Sequence, residues 1–146
     1  MTQSFVCLPT LADIIDATQL AMSIPADTFK MAVFDGSLVI DPEAFTAYGV
    51  APFNAGEIAG GGYSAGGATL GSVTWAIQAG TQRIRYKTGN VAILNVTGNV
   101  QHLLHYDDTL AGNNALYVCD LGSEFVLAAE TLNVTVDNDG WFRYRA

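Results

Sequence analysis

The chain has 146 residues, enough for one domain whose core needs no disulfide or metal to hold it. Half of the residues are hydrophobic and only 14% are charged, so either the core is large or apolar surface is covered by other chains. A net charge of −8 argues against nucleic-acid binding, which relies on basic patches. No apolar run is long enough to cross a bilayer, and the start "MTQSFVCLPT" lacks the basic region of an export signal. A soluble protein that engages neither nucleic acid nor membrane is expected.

The first element is "LPTLADIIDATQLAM", read as a helix capped by Thr10 with Asp13 three residues on. Leu11, Ile14 and Ile15, with Leu20 and Met22, form its apolar set. Such a set suits a helix packed on its own subunit, or an arm that reaches a neighbouring one. Next, "DTFKMAVFDG" alternates, with Phe29, Met31 and Val33 on one side and Lys30 on the other, and reads as a strand. "SLVIDPEAFTAYGVAPFNAG" is a proline-punctuated excursion that Phe45, Tyr48 and Phe53 are expected to pin down.

The stretch "GEIAGGGYSAGGATL" holds six glycines in fifteen positions. A phosphate loop needs its glycines between a strand and a helix, whereas these lead into residues of strong β character, with no Lys-Ser or Lys-Thr pair following. A structural bend is expected instead, with glycines admitting positive φ and close backbone approach and Tyr63 burying its ring. From residue 70 onward, eight short runs read as strands: "SVTWAIQ", "QRIRYKTG", "VAILNVTG", "HLLHYDD", "ALYVCDLG", "EFVLAA", "LNVTVDN" and "GWFRYRA". Together these predict a mainly β fold, a single-domain antiparallel β-sandwich or barrel-like unit with a short N-terminal helix or arm. Residues 1–24 form the helix or arm and 25–146 the β domain, one globular unit overall.

Catalytic chemistry is not indicated. On an extended strand His102 and His105 face opposite sides and cannot share a metal; one is expected partly buried and one at the surface, with Asp107 and Asp108 shaping a turn. Asp137-Asn138-Asp139-Gly140 has the composition of a hairpin turn, and neither Cys7 nor Cys119 has a basic neighbour in sequence to activate it. Without an export signal, two buried thiols are expected rather than a disulfide. No enzyme, cofactor or metal is predicted. The basic residues are more informative. Arg83, Arg85 and Lys87 share one strand face at period two, and Arg143 and Arg145 repeat the pattern. They form either a solvated face balanced within the subunit or a stripe that docks on acidic surface of a partner or a sister copy.

The glycine stretch also carries a resemblance. Glu57, Ile58, Gly60, Gly62, Tyr63, Ala65, Gly66, Gly67 and Leu70 match the Glu–aliphatic–small–Gly–x–Gly–Tyr core and Ala-Gly-Gly of a family of small tailed-phage virion proteins. "ADTFKMAVFDG", through Asp27, Thr28, Lys30 and Ala32, resembles that family's early strand. "LLHYDDTLAGNNALYVCDLG" and "LNVTVDNDGWFRYRA" resemble two of its hairpins. The similarity runs from about residue 25 to the end. The stretch "RIRYKTGNVAILNVTG" and the N-terminus have no counterpart and are where this chain is expected to make contacts of its own.

The resemblance implies a β-rich structural protein with no activity: a decoration or cement subunit that is assembled in the host cytoplasm and sits on the capsid surface of the virion. Its implied partners are the phage major capsid protein and copies of itself, with trimers favoured over dimers. A second reading is a receptor- or glycan-binding module of a tail or fibre, using Tyr48, Trp75 or Trp141 as stacking platforms.

Overall fold

The structure is a computed structural model that describes residues 3–16, 22–23, 26–81 and 83–145, apart from the side chains of residues 3, 4, 14–16 and 142–145. In chain order the elements are β1 (Gln3–Val6), α1 (Leu8–Asp16), β2 (Phe29–Phe34), β3 (Ala68–Thr69), β4 (Thr74–Gln78), β5 (Arg83–Lys87), β6 (Val91–Asp107), β7 (Ala115–Val134) and β8 (Phe142–Arg145). They form a five-stranded sheet in the order β1-β7-β6-β2-β3 and a three-stranded sheet in the order β4-β5-β8. Every pairing is antiparallel. The fold is thus mainly β with one short helix near the N-terminus.

The inner part of the central sheet, β2 with residues 102–107 and 115–119, is covered on both faces, which explains why these segments read as nearly continuous apolar runs. On one face Phe29, Met31, Val33, Leu103 and Tyr117 pack with Tyr86 of the three-stranded sheet and with Ile58 and Tyr63 of the glycine stretch. On the other, Ala32, Phe34, Leu104, Tyr106 and Val118 pack under Phe45 and Phe53 of the excursion. Cys7 belongs to the second cluster and Cys119 to the first, so the two buried cysteines lie on opposite sides of the sheet.

Four expectations are corrected. The helix starts two residues before Thr10: the Leu11 amide bonds to the Cys7 carbonyl at 3.1 Å, and Pro9 sits in the first turn, where its missing N–H costs nothing. Thr10 is therefore no cap, and its buried hydroxyl donates to the Ala115 carbonyl on β7. The helix is described only to Asp16, and Leu20 lies outside the described residues. The N-terminal segment is also more than a helix or arm, because it opens with a strand, Gln3–Val6, that pairs with Tyr117–Asp120 inside the central sheet.

The other two corrections concern the strands. Five of the eight predicted runs are pieces of two long strands, β6 of 17 residues and β7 of 20. The turn signals inside them mark bulges: the register shifts between Ile93 and Val96 and between Val100 and His102, and Asn95, Gly122 and Ala129 have positive φ. Asp137–Gly140 does turn, with the Gly140 amide bonded to the Asp137 carbonyl at 3.2 Å. It does not close a hairpin, because β8 crosses to pair with β5 of the other sheet.

Candidate functional site

The glycine stretch folds over the free edge of β2. Ile58 donates to the Val33 carbonyl at 3.0 Å, Asp35 to the Gly56 carbonyl at 2.9 Å, and Leu70 to the Phe29 carbonyl at 2.8 Å. The same segment then reaches the far half of β6, where the Gly62 amide bonds to the Asn95 carbonyl at 2.6 Å. It supplies a neighbour for β6 where the six-residue β2 has ended. Three glycines of the stretch leave no room for a side chain: a Cβ on Gly62 would stand 2.2 Å from the Leu94 carbonyl oxygen. A Cβ on Gly61 would stand 1.9 Å from the Asn95 carbonyl oxygen, and one on Gly67 would stand 1.9 Å from that of Met31. Both also have positive φ, +62° and +77°. Gly60 forms an isolated bridge with Tyr63, and Ala65 is exposed at the tip.

Glu57 locks this corner. Its Oε1 accepts from the Tyr63 hydroxyl at 2.6 Å and the Gly66 amide at 2.8 Å, and its Oε2 accepts from the Tyr48 hydroxyl at 2.8 Å. Tyr63 in turn accepts from the Val33 amide at 3.0 Å, and Tyr106 donates to the Gly66 carbonyl at 2.8 Å. The Tyr48 and Tyr106 rings stack with centroids 4.6 Å apart. Burial, the Glu57 hydrogen bond and the Glu57 charge push Tyr48 up to about 12, and burial also raises Tyr63 and Tyr106. These hydroxyls therefore stay protonated as donors at neutral pH, and charge-assisted bonds to a carboxylate are among the stronger kind. Both Glu57 oxygens are committed to groups of the chain itself. Tyr48 stands nine residues before Glu57 and Tyr106 comes from β6, and no local spacing announces either.

Both histidines are buried, which corrects the expectation of one at the surface. They do face opposite sides of β6. His102 places Nδ1 2.8 Å from the Asp35 carbonyl oxygen and Nε2 3.6 Å from Asp120. His105 sits among Tyr86, Tyr117 and Trp141, with the Trp141 ring edge-on at 4.4 Å and the Tyr86 hydroxyl 3.1 Å from Nδ1. Its Nε2 has no hydrogen-bond partner, and burial lowers its pKa to about 3, so the ring is neutral. Nearby, Asp107 Oδ1 accepts the Thr109 and Leu110 amides, and burial together with Asp27 raises its carboxyl. Among the described residues, no group of three or more His, Cys, Asp or Glu side chains is placed to hold a metal ion.

The two basic clusters, far apart in sequence, meet on the three-stranded sheet. Arg83 pairs with Arg145 and Arg85 with Arg143, so the register sets four arginines and Lys87 on one face. The opposite face sends Tyr86 into the core. Arg85 donates through Nη1 to the Asn138 carbonyl, and Lys87 Nζ lies 3.4 Å from Asn138 Oδ1. The side chains of Arg143 and Arg145 lie outside the described groups, as do those of Ile14 and Ile15 on α1; Leu11 is half-buried.

The aromatics considered as sugar platforms are engaged internally. Tyr48 stacks on Tyr106, Trp75 tilts against Tyr86, and Trp141 lies against His105 and donates through Nε1 to Thr88 at 2.9 Å. Trp141 also borders an open apolar groove of about 470 Å³, formed with Leu121, Phe125, Leu127 and Leu132 of β7. Beyond Asp120 no described strand flanks β7 on its β1 side, and Phe125 and Val126 are 52% and 73% exposed there. No helix among the described residues is long and apolar enough to cross a membrane. No protein-family model, curated protein or solved structure matches the chain.

Proposed function

We propose that the chain is a structural protein of a tailed-phage particle, a decoration or cement subunit that binds the outside of the head and reinforces contacts between major capsid subunits. The observation that carries this reading is the closed state of the Glu57 corner. The residues of the virion-protein signature spend their hydrogen bonds on the chain's own backbone and on one another, as a rigid scaffold requires and a ligand pocket does not. The segments that resemble the family supply β2, the glycine corner and the buried ends of β6 and β7.

The stretch without a counterpart, residues 83–98, supplies all of β5 and the distal half of β6. Binding is repeated over many copies, so modest affinity per contact adds up to a large collective reinforcement. The exposed Phe125 and Val126 on the open edge of β7 are the surface offered to the head.

Electron microscopy and protein composition of purified particles of the encoding virus test this reading. Copies on the head surface at a regular ratio to the capsid protein support it. Particles that lack the chain, or that carry it only on tail fibres, overturn it.

A further inference from the structure

We infer that Asp27 and Asp107 hold a calcium ion that ties the segment before β2 to the turn between β6 and β7. Asp107 closes β6 and is fully buried, at 0% exposure. Its Oδ1 is committed to the turn, accepting the Thr109 amide at 2.8 Å and the Leu110 amide at 3.3 Å. Its Oδ2 is shut off from solvent and has no hydrogen-bond partner among the described residues. A buried polar atom left this way marks a place where a proton, a water or an ion belongs.

A second carboxyl faces the first. Asp27, from the segment before β2, brings its side chain within hydrogen-bonding reach of the Asp107 carboxyl. Asp27 is itself fixed: its amide donates to the Ser23 carbonyl at 2.8 Å, and its Oδ2 accepts the Ser23 amide. The two segments are also joined through their backbones. The Thr28 amide donates to the Thr109 hydroxyl at 2.7 Å, and the Asp108 amide donates to the Thr28 carbonyl at 2.8 Å. Lys30 is taken by Asp108 at 2.8 Å, and among the described residues neither Asp27 nor Asp107 has a cationic partner.

Two carboxylates in contact do not both ionise unless a cation lies between them, and burial of one strengthens the repulsion. A shared proton removes one charge. A divalent ion balances both and gives the bare Oδ2 its partner. Carboxylate donors suit a hard ion, and donors from two separate segments suit calcium, which tolerates irregular coordination, better than magnesium with its strict octahedron. Two carboxylates, rather than the three or more of a tight site, place the expected affinity at about 10⁻⁴ to 10⁻³ M, with water and main-chain oxygens completing the shell. The inference concerns the isolated chain and stands or falls independently of the virion reading.

Thermal melting of the purified chain at neutral pH, in EDTA and in calcium chloride, tests it. At about 10 mM calcium, roughly 10- to 100-fold above the expected Kd, Tm should rise by at least about 3 °C over its value in EDTA. Magnesium at the same concentration should give less than half of that rise. Asp27→Asn keeps an acceptor for the Ser23 amide, and Asp107→Asn keeps one for the Thr109 and Leu110 amides, so both are expected to fold and to lose the calcium response. Asp41→Asn, at an exposed carboxylate of the excursion, controls for general screening of the net charge of −8 and should keep the full response. Equal melting in calcium and EDTA, an equal rise from magnesium, or a rise that Asp27→Asn retains overturns the inference.

Discussion

The two halves of the β6–β7 ribbon share strands and hydrogen bonding but not surroundings. At the inner end, residues 102–107 and 115–119 are buried throughout, histidines and Asp107 included. At the outer end, β7 from Gly122 to Glu130 is exposed at every position but Leu127, although Phe125, Val126 and Leu127 are as apolar as their inner counterparts. What differs is cover. The excursion and the three-stranded sheet enclose the inner end, whereas the glycine corner supports the outer end only along β6. Apolar sequence within one continuous strand therefore does not decide burial; the layers above it do.

The largest effects are expected where cover and backbone meet. Gly67→Ala would drive a Cβ into the Met31 carbonyl at a φ of +77°, so the corner could not seat on β2. Urea denaturation should show a loss of at least about 4 kcal/mol, or no cooperative unfolding at all. Gly80, between β4 and β5, has the same φ, but a methyl group there would meet nothing within 4 Å, and Gly80→Ala should cost only about 1 to 2 kcal/mol. Equal losses at the two positions would remove the distinction between enclosed and open regions.

Next in size is Tyr63→Phe. It leaves the Val33 amide without an acceptor and Glu57 Oε1 with one donor fewer, for an expected cost of about 1 to 3 kcal/mol. Tyr48→Phe removes one bond at a half-buried site and should cost less. A Tyr63 variant as stable as wild type would show that the corner is held by its glycines and not by Glu57.

Much of this corner is legible in the sequence, because its constraints are local. The run of glycines, the interleaved Tyr63 and the strand character of "GGATLGSVTW" together indicate a bend in a β framework. The early strand is legible for the same reason. Sequence alone does not reveal that Tyr48 and Tyr106 complete the Glu57 network, because those contacts arise only when the excursion and the glycine stretch fold back onto β6. β6 and β7 read as five shorter runs because Gly and Asn carry the same signal at a bulge as at a turn, and only the partner strand tells the two apart. His105 misleads similarly. Alternation places it opposite His102, but nothing local indicates that both faces of β6 are roofed.

The smaller effects are a matter of pH and of surface. His105 has a folded pKa of about 3 against an ordinary 6.5, so below about pH 6.5 the unfolded chain binds a proton that the folded chain refuses. Its contribution is full above that value and is lost as pH falls toward about 3. Asp107 has the opposite sign: its folded value is raised, so its contribution is present at low pH and is lost as pH rises through the folded value. His105→Phe keeps a ring among Tyr86, Tyr117 and Trp141 and removes the titration. Between about pH 6 and 4, wild type should lose on the order of 1 kcal/mol more per pH unit than this variant. Parallel pH profiles would mean that the aromatic enclosure opens to water before it titrates.

The outer half of the ribbon should respond least. Val126 is 73% exposed and pairs with Asn99 across the ribbon, so Val126→Thr keeps the β-branched shape and loses little buried area. Unfolding free energy should shift by no more than about 0.5 kcal/mol. The same substitution should lower retention on a hydrophobic matrix, because it takes one apolar group from a strand edge that no described strand covers. A stability loss near that of Tyr63→Phe would mean that Val126 is covered in solution, by this chain or another. The contrast between the two ends of the ribbon would then reflect a missing neighbour and not a property of the fold.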